Sequence, residues 1–181
     1  MFGFDIQEVV IIEPKIYRDE RGFFFESFNE QTFADRISSS VRFVQDNQSL
    51  SHRHVLRGLH YQIDQVQGKL VRAISGEIFD VAVDIRKSSP TFGKWTGAIL
   101  SAENCHQLWV PPGFAHGFLV MSDTAEVLYK VTDYYAPAHE RCIRWDDPQL
   151  QIDWTQTSDR QLIISDKDRQ GKLLSEAEIF S

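Results

Sequence analysis

Cysteine is scarce in this 181-residue chain: Cys105 and Cys142 stand alone, with no CxxC or comparable spacing, which excludes a disulfide scaffold and a cysteine-built zinc site. A chain of this length buries enough apolar surface without a crosslink, so both thiols are expected to be reduced and buried. Long hydrophobic runs are also missing. The opening MFGFDIQEVVIIEP has only the four consecutive apolar residues Val9 to Ile12 and carries Asp5 and Glu8, a pattern that predicts no signal peptide, no membrane span and a cytoplasmic location. Basic runs are absent too. Nineteen Lys and Arg against twenty-six Asp and Glu leave a net charge of −7, and nothing in the sequence tracks a phosphate backbone, so nucleic acid is not an expected partner. An anionic ligand must therefore meet a local cluster of Arg and Lys set against an unfavourable global field. Internal repeats, low-complexity tracts and linkers are lacking, and residues 1–181 read as a single domain.

What is present is a succession of short β-branched and aromatic runs separated by turn signals: EVVIIE, GFFFESF, VRFVQDN, VLRGLHYQ, KLVRAIS, EIFDVAVDI, KWTGAILS, HQLWVP, HGFLVMS and EVLYKVTDYY. This spacing predicts an all-β sandwich or barrel. In EIFDVAVDI, Phe79, Val81, Val83 and Ile85 share one face and Asp80, Ala82 and Asp84 the other, after a turn supplied by Ser75-Gly76. A helix is predicted at NEQTFADRI, capped by Asn29 with Phe33 and Ile37 on one face, and a second over LLSEAEIF. Without the Cys and Trp spacing of an immunoglobulin domain, the pattern favours a jelly roll with an internal cavity.

The stretch SHRHVLRGLHYQ holds three histidines. His52 and His54 form an HxH pair suited to metal, but QSLSHRHV has loop composition, so both are expected in a solvated turn without a chemical task. His60 lies in an apolar run with Gly58 and Gln62 as same-face neighbours, and a lone strand histidine is ordinarily a hydrogen-bonded core residue. Farther on, Pro111, Gly113 and His116 in PPGFAHGF give the PxGxxH pattern of the second cupin motif. The first motif appears as His60-Tyr61-Gln62, with Lys69 in the region of the usual Glu. A lysine there repels a divalent cation, which predicts a cupin-like jelly-roll (double-stranded β-helix) barrel with a few short peripheral helices and no metal. Arg57, His60, Gln62 and Lys69 crowd polar groups into adjacent strands, an arrangement that fits a wet cavity better than a core.

Taken together, DERGFFFESF, FVQDN, VLRGLHYQ and QLWVPPGFAHGFLV, followed by EVLYKVTDYYAPAHE and SDKD, resemble the dTDP-4-dehydrorhamnose 3,5-epimerase family in order and over nearly the whole chain. The resemblance implies a dTDP-sugar substrate, dTDP-4-dehydro-6-deoxy-D-glucose, whose C3 and C5 both flank the C4 ketone. Inversion then needs a base on one face, an acid on the other and charge stabilisation at the C4 oxygen, with no cofactor. The sequence has no GxGxxG between a strand and a helix for an oxidation route through a nicotinamide.

By the same resemblance His60 is the base, Asp168 its orienting partner, Tyr129 the proton donor and Lys69 the electrophile. Arg21, Arg57 and Lys167 are implied as anion-anchoring groups, and Glu26, Gln45, Asp46, Asn47, His116 and Glu140 as nucleotide or sugar contacts. Tyr135 is implied as a ring stacking on thymine, and strand alternation through Tyr129, Val131, Asp133 and Tyr135 is expected to bring both tyrosines to one cavity. The family is dimeric with strand exchange, for which GFFFESF is the candidate segment, and Arg21 and Glu26 then belong to the neighbour's site. One geometric objection remains: Arg57 and His60, three apart, face opposite sides of a regular strand unless Gly58 permits a bulge. Alternatives are a mono-epimerase or 3,4-ketoisomerase on the same ketosugar, a non-catalytic sugar-nucleotide-binding cupin, or a metal-dependent cupin oxygenase.

Overall fold

The computed structural model describes residues 1–154 and 162–181. In chain order its strands are β1 (Phe2–Gly3), β2 (Val10–Ile12), β3 (Tyr17–Asp19), β4 (Gly22–Phe24), β5 (Gln45–His52), β6 (Val55–Gln62) and β7 (Lys69–Ser75). They continue as β8 (Glu77–Asp84), β9 (Trp95–Ser101), β10 (Gln107–Val110), β11 (Phe114–Val120), β12 (Thr124–Val131), β13 (Glu140–Cys142) and β14 (Ile163–Ile164). Two short helices, α1 (Glu30–Arg36) and α2 (Asp166–Arg169), flank them. A seven-stranded sheet runs β1-β9-β8-β11-β6-β13, with β14 also on β6; a five-stranded sheet runs β2-β10-β7-β12-β5; β3 and β4 form a separate hairpin. Among the described residues no helix is long and apolar enough to cross a membrane.

Three apolar layers hold this arrangement. The inner one lies between the sheets and draws Ile78 and Ala82 from β8, Phe114 and Phe118 from β11, Val71 from β7 and Val127 from β12. The second covers the outer face of the larger sheet, where Phe79, Val81, Val83 and Ile85 meet Trp154, Ile164 and Leu174. β8 thus alternates as expected, but both of its faces are buried: Asp80 has no exposed surface, nor has Asp84. The third packs Phe33 of α1 against Leu70 and Trp109 on the outer face of the smaller sheet. Asn29 caps α1 as expected, accepting from the Thr32 amide, an interaction worth about 1 kcal/mol.

Several expected elements differ. LLSEAEIF forms turns rather than a helix, because Leu174, Ala177, Ile179 and Phe180 all serve the outer core and one helical face does not reach it over that span. VRFVQDN becomes a strand only from Gln45, since Val41 and Phe43 are taken up beside Phe33. That strand runs on to His52, so only Arg53 and His54 remain as the tight turn. His52 is exposed at the strand end, whereas the two ring nitrogens of His54 are buried without a hydrogen-bond partner, against the expectation of a solvated side chain. Cys105 is buried and Cys142 only partly so; both are free.

Candidate active site

The position of His60 depends on an irregularity in β6. Arg57 pairs with Phe118 and His60 with His116, so three steps on β6 oppose two on β11. Since residues 116 and 118 share a face of β11, Arg57 and His60 are brought to the same side, which answers the geometric objection. Gly58 makes this possible: its φ is +130°, and a Cβ there would stand 2.5 Å from the Gly117 Cα. The outer edge of β6 is paired by β14 at Val55 and Leu56 and by β13 from His60 to Gln62. β14 leads directly into α2, whose Ser165 cap accepts from the Asp168 amide and fixes that residue against β6. Asp168, 3% exposed, approaches His60 Nε2 to 2.5 Å through Oδ1, while its Oδ2 takes a long hydrogen bond from the Gly58 amide. Burial alone would raise the Asp168 pKa, but these hydrogen bonds and the attraction of the imidazole hold it below the usual carboxylate range.

One pocket between the sheets is lined by His60, Asn47, Lys69, Tyr129, Tyr135 and Glu140, together with Tyr61, Gln62 and Gln67. His60 enters from the seven-stranded sheet; Asn47, Lys69 and Tyr129 enter from the five-stranded one, where Tyr129 is paired with Asn47 and with Val71. Lys69 reaches across, its Nζ donating to the His60 carbonyl at 3.3 Å. Burial pushes its pKa down to about 8 against the pull of Asp80 and Glu140. Burial likewise raises the Tyr129 phenol, which the nearby Arg57 charge partly offsets. Glu140 accepts from the Tyr135 hydroxyl at 2.7 Å and pairs with Lys167 at 2.5 Å. Those two partners hold its pKa down although burial acts the other way.

Tyr135 arrives by a different route from the one expected. β12 ends at Val131, and the alternation does not continue to residue 135. The loop is instead held by Gln62, whose amide donates to the Tyr134 carbonyl and accepts from the Ala136 amide, and by Gln45, which accepts from the Tyr135 amide. Gln45 also donates to Asn47. Arg57 is exposed and does not line the pocket; it donates to Ser51, and its charge bears on Tyr129. His116 lies in the barrel interior opposite His60, its Nε2 3.0 Å from each oxygen of Asp80, rather than on the pocket wall.

Besides His116, three residues implied for the site stand away from it. Asp46 falls on the other face of β5 from Gln45 and Asn47 and pairs with Lys130. Arg21 is exposed in the turn of the β3–β4 hairpin, forked onto Asp19. Glu26 accepts from the Asn29 side chain and faces a separate cavity with Phe28 and Gln107. Sequence reasoning in turn missed Asp80, which it grouped with Ala82 and Asp84 on one face of the strand without assigning it a task; an aspartate in a run with apolar residues at both parities was the signal available. It also missed Cys142, which lies directly across from His60.

Residues 3–176 match the family model described as dTDP-4-dehydrorhamnose 3,5-epimerase. The chain belongs to this family. The family enzyme of Pseudomonas aeruginosa is 59% identical over 175 residues, spanning 97% of this chain and 96% of that one. A solved dTDP-6-deoxy-D-glucose-3,5-epimerase from Legionella pneumophila, in complex with dTDP-4-keto-L-rhamnose, is 55% identical with a TM-score of 0.93, covering 97% of this chain and 92% of that one. A 3'-monoepimerase from Streptomyces bikiniensis, in complex with dTDP-quinovose, shares the fold at a TM-score of 0.88 and 34% identity, covering 97% and 88%. The cupin-like jelly roll of the family is therefore the fold of this protein.

Proposed function

We propose that this protein inverts C3 and C5 of dTDP-4-dehydro-6-deoxy-D-glucose, giving dTDP-4-dehydro-L-rhamnose, as a single catalytic domain over residues 1–181. The observation that carries the reading is the placement of a base and an acid on opposite walls of one pocket with a buried ammonium between the sheets. With Nε2 engaged by Asp168, His60 Nδ1 is the nitrogen left to take a proton from the carbon beside the ketone. The carboxylate fixes the tautomer and stabilises the imidazolium that forms. Lys69, buried and so poorly screened by water, stabilises negative charge developing on the C4 oxygen. Tyr129, held protonated by burial, returns a proton to the opposite face. Because C3 and C5 flank the same ketone, one set of groups serves both.

Tyr135 and Glu140 line the mouth, where an exposed ring suits stacking on thymine, and Arg57 and Lys167 provide positive charge for the diphosphate. Asp80 is a positioning residue in this scheme, supplying a buried negative charge beneath Lys69 and holding His116. A homodimer in the cytoplasm completes the reading. The β3–β4 hairpin carries Tyr17, Phe23 and Phe24 largely exposed, Phe24 at 69%, and covering it with a second copy would carry Arg21 toward that copy's pocket. The monoepimerase likeness favours inversion at C3 alone as the second reading.

His60→Ala separates catalysis from mere binding. The variant is expected to lose proton exchange at the sugar while keeping dTDP affinity by calorimetry; exchange at the wild-type rate would remove His60 from the mechanism.

A further inference from the structure

Cys142 is a nucleophilic group that the proposed reaction does not use, and the fold sets it beside groups that it does. In the β6–β13 pairing Cys142 stands directly opposite His60, and α2 brings Asp168 to the same point. The thiol sulfur is 3.9 Å from Asp168 Oδ1, and one donor atom from each of His60, Cys142 and Asp168 lies within 4.8 Å of the others. Three different elements thus converge on one small volume with one nitrogen, one sulfur and one oxygen donor. A second observation concerns access. Cys142 lines a surface cleft with Glu140, Asp166, Lys167, Gly171 and Glu178, and Lys167 on its wall is already paired with Glu140.

We propose that His60, Cys142 and Asp168 form an inhibitory site for a thiophilic divalent cation of the Zn2+ class. An N, S, O donor set suits borderline-soft ions and disfavours Mg2+ and Ca2+. With Zn–S at about 2.3 Å and Zn–N and Zn–O at about 2.0–2.1 Å, tetrahedral donors stand roughly 3.3–3.6 Å apart. The His60–Asp168 contact, at 2.5 Å, must open by about 1 Å, and the cysteine, at 3.9 Å from Asp168, must close in by about 0.3–0.6 Å, leaving the fourth position to water. The thiol is strongly disfavoured as an anion on its own, burial and Asp168 pushing its pKa up to about 12, and a bound cation reverses that preference.

The balance of the step explains the inhibition. Zn2+ takes the Nε2 lone pair, the ring proton moves to Nδ1, Asp168 stays ionised, and the thiol proton leaves to solvent. One proton is released per ion bound. A ring metallated at Nε2 and protonated at Nδ1 has no lone pair with which to deprotonate the sugar. This consequence rests on the reading of His60 as the base; the site itself does not. Two lysines stand nearby: Lys69 donates to the His60 carbonyl, and Lys167, whose charge bears on the thiol, is paired with Glu140, which leaves the anionic Asp168 and the Cys142 thiolate formed on binding to balance the ion's charge.

The test uses the full-length protein, stripped with chelator and titrated with CoCl2 and ZnCl2. One Co2+ per chain is expected, with a thiolate-to-cobalt charge-transfer band in the near ultraviolet that Zn2+ displaces. Cys142→Ala and Cys142→Ser are expected to lose the band and to bind at least about a hundredfold more weakly, while Cys105→Ser keeps both. Epimerase activity is read for each variant relative to its own chelator-treated sample, and inhibition by Zn2+ should track binding. No band in the wild type, or a band unchanged in Cys142→Ala, overturns the site. Binding that depends on Cys142 but leaves activity intact upholds the site and counts instead against His60 as the base.

Discussion

A histidine is a directional base only when one nitrogen is committed elsewhere, and for the base proposed here, His60, that commitment comes from Asp168, 108 residues away. Asp168→Asn preserves the shape but removes the charge and the tautomer preference, so kcat is expected to fall by about 10²–10⁴ with dTDP affinity nearly unchanged, measured by steady-state kinetics and calorimetry. In the proposed mechanism Lys69 sets the upper pH limit. It must be protonated to stabilise the C4 oxygen, and burial brings its pKa to about 8, so kcat is expected to hold below that value and decline above it. Tyr129 is displaced upward from its ordinary value of 10 and cannot supply that limb; a decline beginning only above pH 10 would transfer the limit from Lys69 to the phenol. Lys69→Met is expected to cost about 10²–10³ in kcat. At this scale the sequence was readable in part. His60 and Lys69 stood out as polar groups in apolar runs, whereas the Asp168 partnership followed only from family resemblance, since nothing local in SDKD points to residue 60. Asp80 went unread because periodicity tells which residues share a face and not whether that face meets water.

Strands were largely legible as elements because their β-branched runs end at turn residues: KLVRAIS and VLRGLHYQ coincide with β7 and β6 residue for residue. What periodicity does not convey is where one residue too many is accommodated. The bulge in β6 reconciles Arg57 with His60, and only the glycine hinted at it. Gly58→Ala places a Cβ into the Gly117 backbone at a positive φ, and we expect it to cost about 2–4 kcal/mol in denaturant-measured stability and to lower kcat by displacing His60. A change under about 0.5 kcal/mol would mean that the backbone relaxes without penalty. The turn at Gly76, by contrast, was visible from the Ser-Gly pair alone, and its φ of +71° is the one such a turn requires. LLSEAEIF shows the opposite failure: local propensity favours a helix, and packing of Leu174, Ile179 and Phe180 onto the outer core overrides it.

For the molecule as a whole, the jelly roll explains how few residues need special placement: two sheets supply opposing walls, and short connections bring Tyr135 and Asp168 to the mouth and the back of the pocket. Fold class was legible from the count and spacing of strands. The proposed role of a second copy came from the family resemblance alone, because the hairpin aromatics and Arg21 read equally well as a solvated turn. If Arg21 acts in the partner's pocket, mixing inactive Arg21→Ala and His60→Ala proteins under subunit exchange should restore about a quarter of wild-type activity in a statistical population, since half the dimers are mixed and one of their two sites is intact. No recovery despite exchange would place Arg21 outside the partner's site. The central claim, that one ketone and one set of groups serve two stereocentres, is met most directly by incubating the wild-type protein with dTDP-4-dehydro-6-deoxy-D-glucose in D2O and following the sugar by NMR. Solvent deuterium is predicted at both C3 and C5; label confined to one of the two carbons would contradict the account.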